Sequence, residues 1–420
     1  MANIEFIEYT PMREVVEDGE IRWVPDKLGR KIHKLPQIFW DNGEPWSEAN
    51  HWALTKALST VGGDIGTVRT VMKHLAAYAS WLYPDHDWRH FPMRKQDRPI
   101  VQFRGELIAQ RTKGTLAPST ASARMAAVIQ FYRHAQVYGF VDRNSPMWTD
   151  RGVVVRYFDT AGFERSLSRL SSDLSIPNKS SDGFRLEDGL TPLRNEDAAR
   201  LLEFTKDHGP KELHLMLALG VLSGPRIGTI TTLKVRDIEN AYPDIQAPDT
   251  YLLRVGPGTG VKTKGDVSGN LMVPKFLIDA LKAYASSVHR LTRQARASES
   301  NRERLFLTTR GSPYEQGTLR RLMTDLRRDA VDAGLQFMQR FKFHQTRATF
   351  GTWLMGMALR VTNTKAAVAF VRDAMLHKNE RTTFLYVRFH EDGHVKVEMA
   401  NQYTNVFSGA VNRDWKQYGA

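Results

Sequence analysis

The sequence predicts a mainly α-helical protein with a small β component, in which a helical domain precedes a mixed α/β domain. The chain has 420 residues, too many for one ordinary hydrophobic core, so two or three domains are expected. Apolar residues recur at helical spacing through most of the sequence. Strand-like alternation occurs mainly in the first residues and around a turn-rich segment near residue 260.

Residues 1–44 are expected to form an N-terminal arm. The stretches IEFIEYT and EIRWVP alternate apolar and polar residues, which favours short strands. Pro11, Pro25 and Pro36 interrupt this pattern. We therefore expect an arm of short strands ahead of the first helical domain.

Residues 45–150 are expected to form that helical domain. Two segments in it carry an apolar face at helical spacing. Pro84 would stop the first segment. Ser119 or Thr120 could cap the start of the second, and Gly139 could end it. The two apolar faces consist of Val71, Leu75, Tyr78 and Leu82, and of Met125, Val128, Ile129 and Tyr132.

The rest of the chain divides into three predicted parts. Residues 151–190 are rich in Ser, Asp, Gly and Pro and lack periodicity, which indicates a linker. Residues 191–390 are expected to form a mixed α/β domain, because NEDAARLLEFT and ELHLMLALGVL favour helices while TYLLRVG and NLMVPK favour the strands of a hairpin. Residues 391–420 are expected to form a tail helix with one apolar face.

The composition is that of a globular protein with a strong positive charge. The net charge is +13 and the sequence pI is about 9.7, which favours a polyanionic partner. Nucleic acid, an acidic membrane face, and no such partner at all are the alternatives. The polar side of the second helix, with Arg124, Arg133 and His134, is likewise either solvated or a DNA-facing surface.

Several classes of protein are disfavoured. The chain has no cysteine, so disulfides and thiolate metal sites are excluded. No apolar run approaches the roughly 20 residues of a membrane span. The first residues lack the basic-then-apolar pattern of a signal peptide, so a cytoplasmic protein is expected.

Four short stretches of the second domain contain residue types that suit phosphoryl transfer. A phosphodiester is a poor electrophile, so catalysis has to neutralise its anionic oxygens and protonate the leaving alkoxide. Arginine can pair two phosphate oxygens, lysine or histidine can move a proton, and tyrosine can be a nucleophile. The candidate residues are Arg226, Lys262, Lys264, His344, Arg347, His377 and Tyr386.

Each candidate alone has a simpler structural interpretation. Arg226 before a helix could be a surface charge, and the hairpin lysines could be solvated. His377 could cap a helix end, and Tyr386 could be a core aromatic. Their order and combination are what favour a catalytic interpretation.

The four stretches resemble the motifs of the tyrosine recombinase (phage integrase) family. SGPRIGTITTLKVRDI holds the first arginine, VKTKGDVSGNLMVP the lysine hairpin, and HQTRATFGT the histidine–arginine box. His377 precedes Tyr386 by nine residues, as in the last box of the family. A segment like STASARMAAVIQFYRHAQVYGFVDRNSP commonly ends the helical DNA-binding domain, so the resemblance covers residues 45–150 and 190–390.

The resemblance implies an enzyme that cuts and rejoins DNA at specific sites through a 3′-phosphotyrosine, without metal or nucleotide cofactor. Double-stranded DNA is the implied partner, with four protomers on two duplexes. The apolar face of the tail could pack on its own domain, and the resemblance implies that it docks instead on a neighbouring protomer. The arm and the length favour a mobile-element enzyme at the bacterial nucleoid. The implied roles are nucleophile for Tyr386, transition-state stabilisation for Arg226, Arg347 and His377, proton transfer for His344, and protonation of the leaving oxygen for Lys262 or Lys264.

The chain departs from the family pattern at three supporting positions. Thr229 stands where an acidic residue is common, three residues after the first arginine. Gln345 stands where aspartate often follows the box histidine, and Leu376 where glycine usually precedes the last histidine. These departures place the chain in a divergent branch.

Four other functions share features with this sequence. A type IB topoisomerase shares the tyrosine chemistry, and a catalytically silent DNA-binding protein would share the charge. His390, Glu391 and His394 match the HExxH zinc pattern, but Asp392–Gly393 predicts a turn where that site needs a helix. GPGTGVKT resembles a phosphate loop, but Val261 stands where that loop requires glycine.

Overall fold

A computed structural model describes residues 1–59, 63–158, 164–178, 186 and 189–407. The chain divides into two compact units, Met1–Ser180 and Ser181–Ala420. Within the described residues helix is the commonest regular structure in both units, and the strands form small antiparallel sheets. The predicted fold class, mainly α with a small β component, is confirmed.

The first 44 residues of unit 1 form two antiparallel strand pairs. Strand β1 (Asn3–Tyr9) pairs with β4 (Ile32–Phe39), and β2 (Met12–Glu17) pairs with β3 (Glu20–Pro25). The strands predicted from alternation are therefore present. The side chains of Ile32, Leu35 and Ile38 in β4 are buried in the same core as the helices of the unit, so this part of the predicted arm is not detached from it.

Among the described residues of unit 1, four helices build its core. They are α1 (Ser47–Leu58), α2 (Ile65–Leu82), α3 (Pro99–Thr112) and α4 (Pro118–Val137). The predicted apolar faces of α2 and α4 point into this core, where Leu75, Tyr78 and Tyr132 are fully buried. Neither Ser119 nor Thr120 caps α4, because the helix already begins at Pro118, whose fixed φ suits a first helical position.

The segment predicted as a linker carries a β-hairpin. Strands β5 (Asp150–Phe158) and β6 (Glu164–Ser172) pair along nine residues each, and Leu174 and Ile176 then enter the core of unit 1. The serine-rich composition suggested turns, but serine tolerates a strand when a partner supplies the ladder of hydrogen bonds. Residues 159–163, 179–185 and 187–188 of the predicted linker lie outside the described residues.

Unit 2 surrounds one buried helix. Helix α6 is buried along most of its length and contacts the three-stranded sheet β7-β8-β9, whose β8–β9 hairpin is the predicted one. The strands are β7 (Tyr242–Pro243), β8 (Thr250–Val255) and β9 (Gly269–Pro274). The helices are α5 (Asn195–His208), α6 (Lys211–Ser223), α7 (Ile227–Ile230), α8 (Val235–Glu239), α9 (Lys275–Ala285), α10 (Val288–Ala295), α11 (Gln316–Asp332), α12 (Gln345–Val361), α13 (Thr364–Ala374) and α14 (Glu380–Phe407).

Helix α14 corrects two predictions at the C-terminus. It runs without a break through Asp392–Gly393, where a turn was expected, and no separate tail helix begins at residue 391. A glycine inside a helix costs only about 1 kcal/mol, so the helix can continue through it. Residues 408–420 lie outside the described residues. None of the described helices is both long and apolar enough to cross a membrane.

Candidate active site

The turn that follows α6 places Arg226. Gly224 ends α6 with a φ of 70°, and a Cβ there would lie 2.3 Å from Cδ1 of Phe350, so only glycine allows this close turn. Arg226 then precedes the short helix α7 and is half-buried. Thr229, at the position where an acidic residue was expected, is buried in this short helix.

Helix α12 places the two residues of the histidine–arginine box. His344 directly precedes the helix and is half-buried, while Arg347 lies in its first turn. The helix approaches α6 closely, since a Cβ on Gly220 would lie 2.3 Å from Oγ1 of Thr346. Gln345, the second departure, accepts a hydrogen bond from the backbone N–H of Lys342 and donates one to the carbonyl of Thr191, so it anchors the start of α12.

Arg347 connects the two turns that surround the site. Its side chain is 2% exposed. Nη1 donates a hydrogen bond to the carbonyl of Gly224 and Nη2 to that of Met375, both at 2.7 Å. The guanidinium therefore fixes the turn before Arg226 to the turn before His377, and its positive charge lies in contact with both turns.

The turn between α13 and α14 places His377. The N–H of Leu376 donates to the carbonyl of Asp373, and that of His377 to the carbonyl of Arg372, which is the pattern of a Schellman motif. The ring of His377 is buried, and its Nδ1 forms a 2.9 Å hydrogen bond with Oγ1 of Thr383. Thr383 was not predicted, although its place one helical turn before Tyr386 could have suggested a role.

Tyr386 lies beside His377 but inside the protein. Its ring centroid is 6.0 Å from that of His377, with nearly parallel planes. The side chain is 0% exposed and belongs to the core beneath α12. A Cβ on Gly351 would come within 2.6 Å of Cε1 of Tyr386, so glycine makes room for the ring. In this arrangement the phenol has to leave the core before it can meet a phosphate.

A cavity of about 450 Å³ opens above these turns. Three cationic residues line it, namely Arg226, Lys264 and Lys378, together with His377, and the lining contains no carboxylate within the part of the chain that the structure describes. Such a cavity suits an anion of the size of a phosphodiester. Lys262 is not part of this lining, and its backbone N–H instead donates to Oγ1 of Thr232 at 2.9 Å. Lys378 was not predicted, although it directly follows His377.

The zinc pattern does not form a metal site among the described residues. Helix α14 does supply the helix that the motif needs, but the ring Nε2 of His390 lies 2.7 Å from the carbonyl of Thr352. Across the described ranges, no group of three histidine, aspartate or glutamate side chains is close enough to hold a metal ion.

The sequence of unit 2 is similar to that of a known protein family. Residues 192–392 match the model of the phage integrase family. No protein of curated function matches the chain.

Three solved structures are similar to this chain over most of its length. A lambda integrase dimer bound to a COC′ core site is 14% identical, with a TM-score of 0.49, over 81% of this chain and 94% of that one. The Tn1549 transposon integrase with circular intermediate DNA is 15% identical, with a TM-score of 0.49, over 81% and 93%. A lambda integrase tetramer bound to a Holliday junction is 15% identical, with a TM-score of 0.48, over 81% and 76%.

Proposed function

We propose a reaction path for this chain, which belongs to the phage integrase family and is a site-specific DNA recombinase. In its first step the phenol oxygen of Tyr386 attacks a DNA phosphate. The attack forms a 3′-phosphotyrosyl bond and releases a 5′-hydroxyl, and a partner strand reverses the step. The observation that carries this proposal is the cationic cavity that brings Arg226, Lys264 and His377 together next to Tyr386.

The surrounding residues have separate chemical roles in the attack on the phosphate. Arg226 and Arg347 neutralise the phosphate oxygens as charge builds on them, and His377 donates a hydrogen bond to the same group. His344 assists the transfer of the proton that Tyr386 loses. Lys262 or Lys264 gives a proton to the departing 5′-oxygen. Lys264 is favoured, because it lines the cavity with Arg226.

The burial of Tyr386 adds a conformational step. Before attack, the first turns of α14 have to shift so that the phenol leaves the core and enters the cavity. The hydrogen bond between His377 and Thr383 joins the preceding turn to the first turn of α14, which has to shift. Binding of DNA would supply the free energy for the shift, since only the bound state gains phosphate contacts.

The remaining parts of the chain are assigned to DNA binding and assembly. Residues 45–150 would bind DNA mainly through phosphates, with 191–390 as the catalytic domain, and binding would therefore weaken with salt. Four protomers would act on two duplexes. Val395, Val397 and Met399 of α14 are exposed and would help to join neighbouring protomers. Work on chromosomal DNA would place the protein at the bacterial nucleoid.

Covalent trapping tests the nucleophile and the absence of a cofactor together. A nicked DNA substrate that loses its 5′-hydroxyl fragment after cleavage should capture the protein as a covalent adduct in excess EDTA without ATP. Tyr386→Phe should form no adduct and should still bind the substrate, whereas Tyr403→Phe, the control, should form it normally.

Two results would contradict the proposal. An adduct with the Tyr386→Phe protein would show that another group attacks the phosphate. Loss of the wild-type adduct on chelation, restored by zinc or magnesium, would show metal-dependent chemistry. A type IB topoisomerase would instead relax supercoiled DNA without needing a partner duplex, so a relaxation assay separates that alternative.

A further inference from the structure

The segment between β8 and β9 carries both candidate lysines and is attached to the walls of the cavity at two points. Its backbone turns away from the sheet at Gly256 and returns at Gly269. A long side chain on a loose turn would spend little time near a scissile phosphate, so proton donation requires the turn to be held. Thr232 and Leu376 supply contacts that reach this segment from two different parts of unit 2.

Thr232 attaches the first lysine to the helix that follows Arg226. Its Oγ1 accepts a 2.9 Å hydrogen bond from the backbone N–H of Lys262 and donates to the carbonyl of Gly228. Its own carbonyl accepts a 2.6 Å hydrogen bond from Nη1 of Arg304. Thr232 is thus held from two sides. Its hydrogen bonds fix the start of the lysine segment relative to the turn that carries Arg226.

Leu376 attaches the other end to the turn that carries His377. Its φ is 53°, a left-handed conformation that strains a leucine and that glycine would adopt freely. The side chain packs against the core of the sheet. A Cβ on Gly269, the first residue of β9, would lie only 2.4 Å from Cδ2 of Leu376, so the leucine occupies the space that this glycine leaves open. The left-handed leucine therefore makes a contact here that glycine could not make.

We propose that Thr232 and Leu376 are positioning residues that hold the lysine segment against Arg226 and His377. This inference rests on the proposed function, because it assumes that Lys262 or Lys264 protonates the leaving oxygen. In that step the bond from phosphorus to the 5′-oxygen breaks as the bond to the oxygen of Tyr386 forms, and the ammonium proton moves to the 5′-oxygen.

The test compares two leaving groups. Single-turnover cleavage is measured on the nicked DNA substrate and on the same DNA with sulfur in place of the bridging 5′-oxygen. A thiolate leaves without a proton, because a thiol is far more acidic than an alcohol. A defect in proton donation therefore disappears on the sulfur substrate, whereas a general defect in folding, binding or attack remains.

Thr232→Val and Leu376→Gly should each slow cleavage of the oxygen substrate by about tenfold or more, which is part of the roughly 100- to 10,000-fold that general acid catalysis contributes. Both should cleave the sulfur substrate at nearly the wild-type rate. Thr232→Ser, which keeps the acceptor, should behave as the wild type on both. Leu376→Gly should change the melting temperature only modestly, because relief of the left-handed conformation partly offsets the lost packing, and a residue with only a structural role would not show sulfur rescue.

Equal slowing on both substrates, or no slowing on either, would overturn the positioning role. Lys262→Ala and Lys264→Ala are measured beside these variants to separate the two levels of the inference. If sulfur rescues neither lysine variant, proton donation by these lysines is wrong, and the positioning role falls with it. If sulfur rescues a lysine variant but not Thr232→Val or Leu376→Gly, only the positioning role is wrong. Should Thr232→Val fail to fold, Leu376→Gly decides alone.

Discussion

The two units bury different kinds of side chain. The interior of unit 1 is aromatic, and the ring of Trp46 lies 4.9 Å from that of Phe131 and 5.7 Å from that of Trp88, between centroids. Its buried polar residues, within the described ranges, are Asn50, Arg98 and Ser172. Those of unit 2 are Asp197, Thr205, Glu212, Ser223, Thr229, Arg290, Arg293, Thr346, Arg347, Thr349, His377 and Thr383.

The two units therefore differ in how many buried charges they have to satisfy. A buried charge costs free energy unless it is paired and hydrogen-bonded, and unit 2 satisfies its charges in detail. Oε1 of Glu212 lies 2.8 Å from Nη1 of Arg293, from Nε2 of His289 and from the hydroxyl of Tyr284. Such a network holds α6, α9 and α10 in one arrangement, whereas the aromatic core of unit 1 packs with few buried charges.

Two buried arginines test this contrast with the largest expected effect. Arg98 of unit 1 donates to the carbonyls of Pro92 and Met93, as Arg347 does to two carbonyls of unit 2. Arg347→Lys should lower the rate of covalent adduct formation at least about 100-fold, because lysine cannot hold both turns and face a phosphate.

The matched control is Arg98→Lys. It should lower the melting temperature to a similar extent but leave adduct formation unchanged at saturating protein. Both variants are compared by thermal unfolding and by trapping on the same substrate. Equal loss of cleavage in the two proteins would show that burial of arginine, and not its place in unit 2, matters.

Loss of a single buried hydroxyl group should lower stability in either unit but slow cleavage only in unit 2. Tyr132 donates to the carbonyl of Trp88 and shares a 2.7 Å hydrogen bond with Tyr78. Tyr132→Phe should lower the free energy of unfolding by about 1–3 kcal/mol, since a buried carbonyl loses its donor, with no change in cleavage. Thr383→Val, which removes the partner of His377, should cost a similar amount and also slow cleavage. Urea unfolding and single-turnover cleavage measure the two effects, and slowed cleavage in Tyr132→Phe would contradict the contrast.

The smallest expected effect concerns acid and unit 1. Burial, and secondarily the neighbouring His51, lower the pKa of His134 to about 4, below its usual value of about 6.5. The unfolded chain therefore binds a proton first as the pH falls from 6.5 to 4. Stability from His134 is complete above pH 6.5 and is lost through that window, by about 1–2 kcal/mol after solvent screening.

The variant His134→Gln isolates this contribution. Its free energy of unfolding should change less between pH 7 and pH 5 than that of the wild type, as measured by urea denaturation. The same pH dependence in both proteins would show that the half-buried ring of His134 is not a source of acid sensitivity.

Local patterns along the chain predicted most elements, and the errors have a common cause. Helices α2 and α4 and the β8–β9 hairpin follow from periodicity and turn residues. The β5–β6 hairpin and the unbroken α14 were missed, because composition suggested turns at serine-rich residues and at Asp392–Gly393. In both places the segment adopts regular structure where its composition alone favours a loop.

The sequence by itself determined which reactive groups are present and how they are ordered, because an arginine before α7 or a tyrosine nine residues after His377 is a short-range relation along the chain. Their catalytic roles remain predictions. Tertiary structure alone decided that Arg347 bonds Gly224, 123 residues away, that Lys264 lines the cavity and that Tyr386 is buried. These contacts join helices and turns distant in sequence, and their geometry depends on packing that no local pattern encodes.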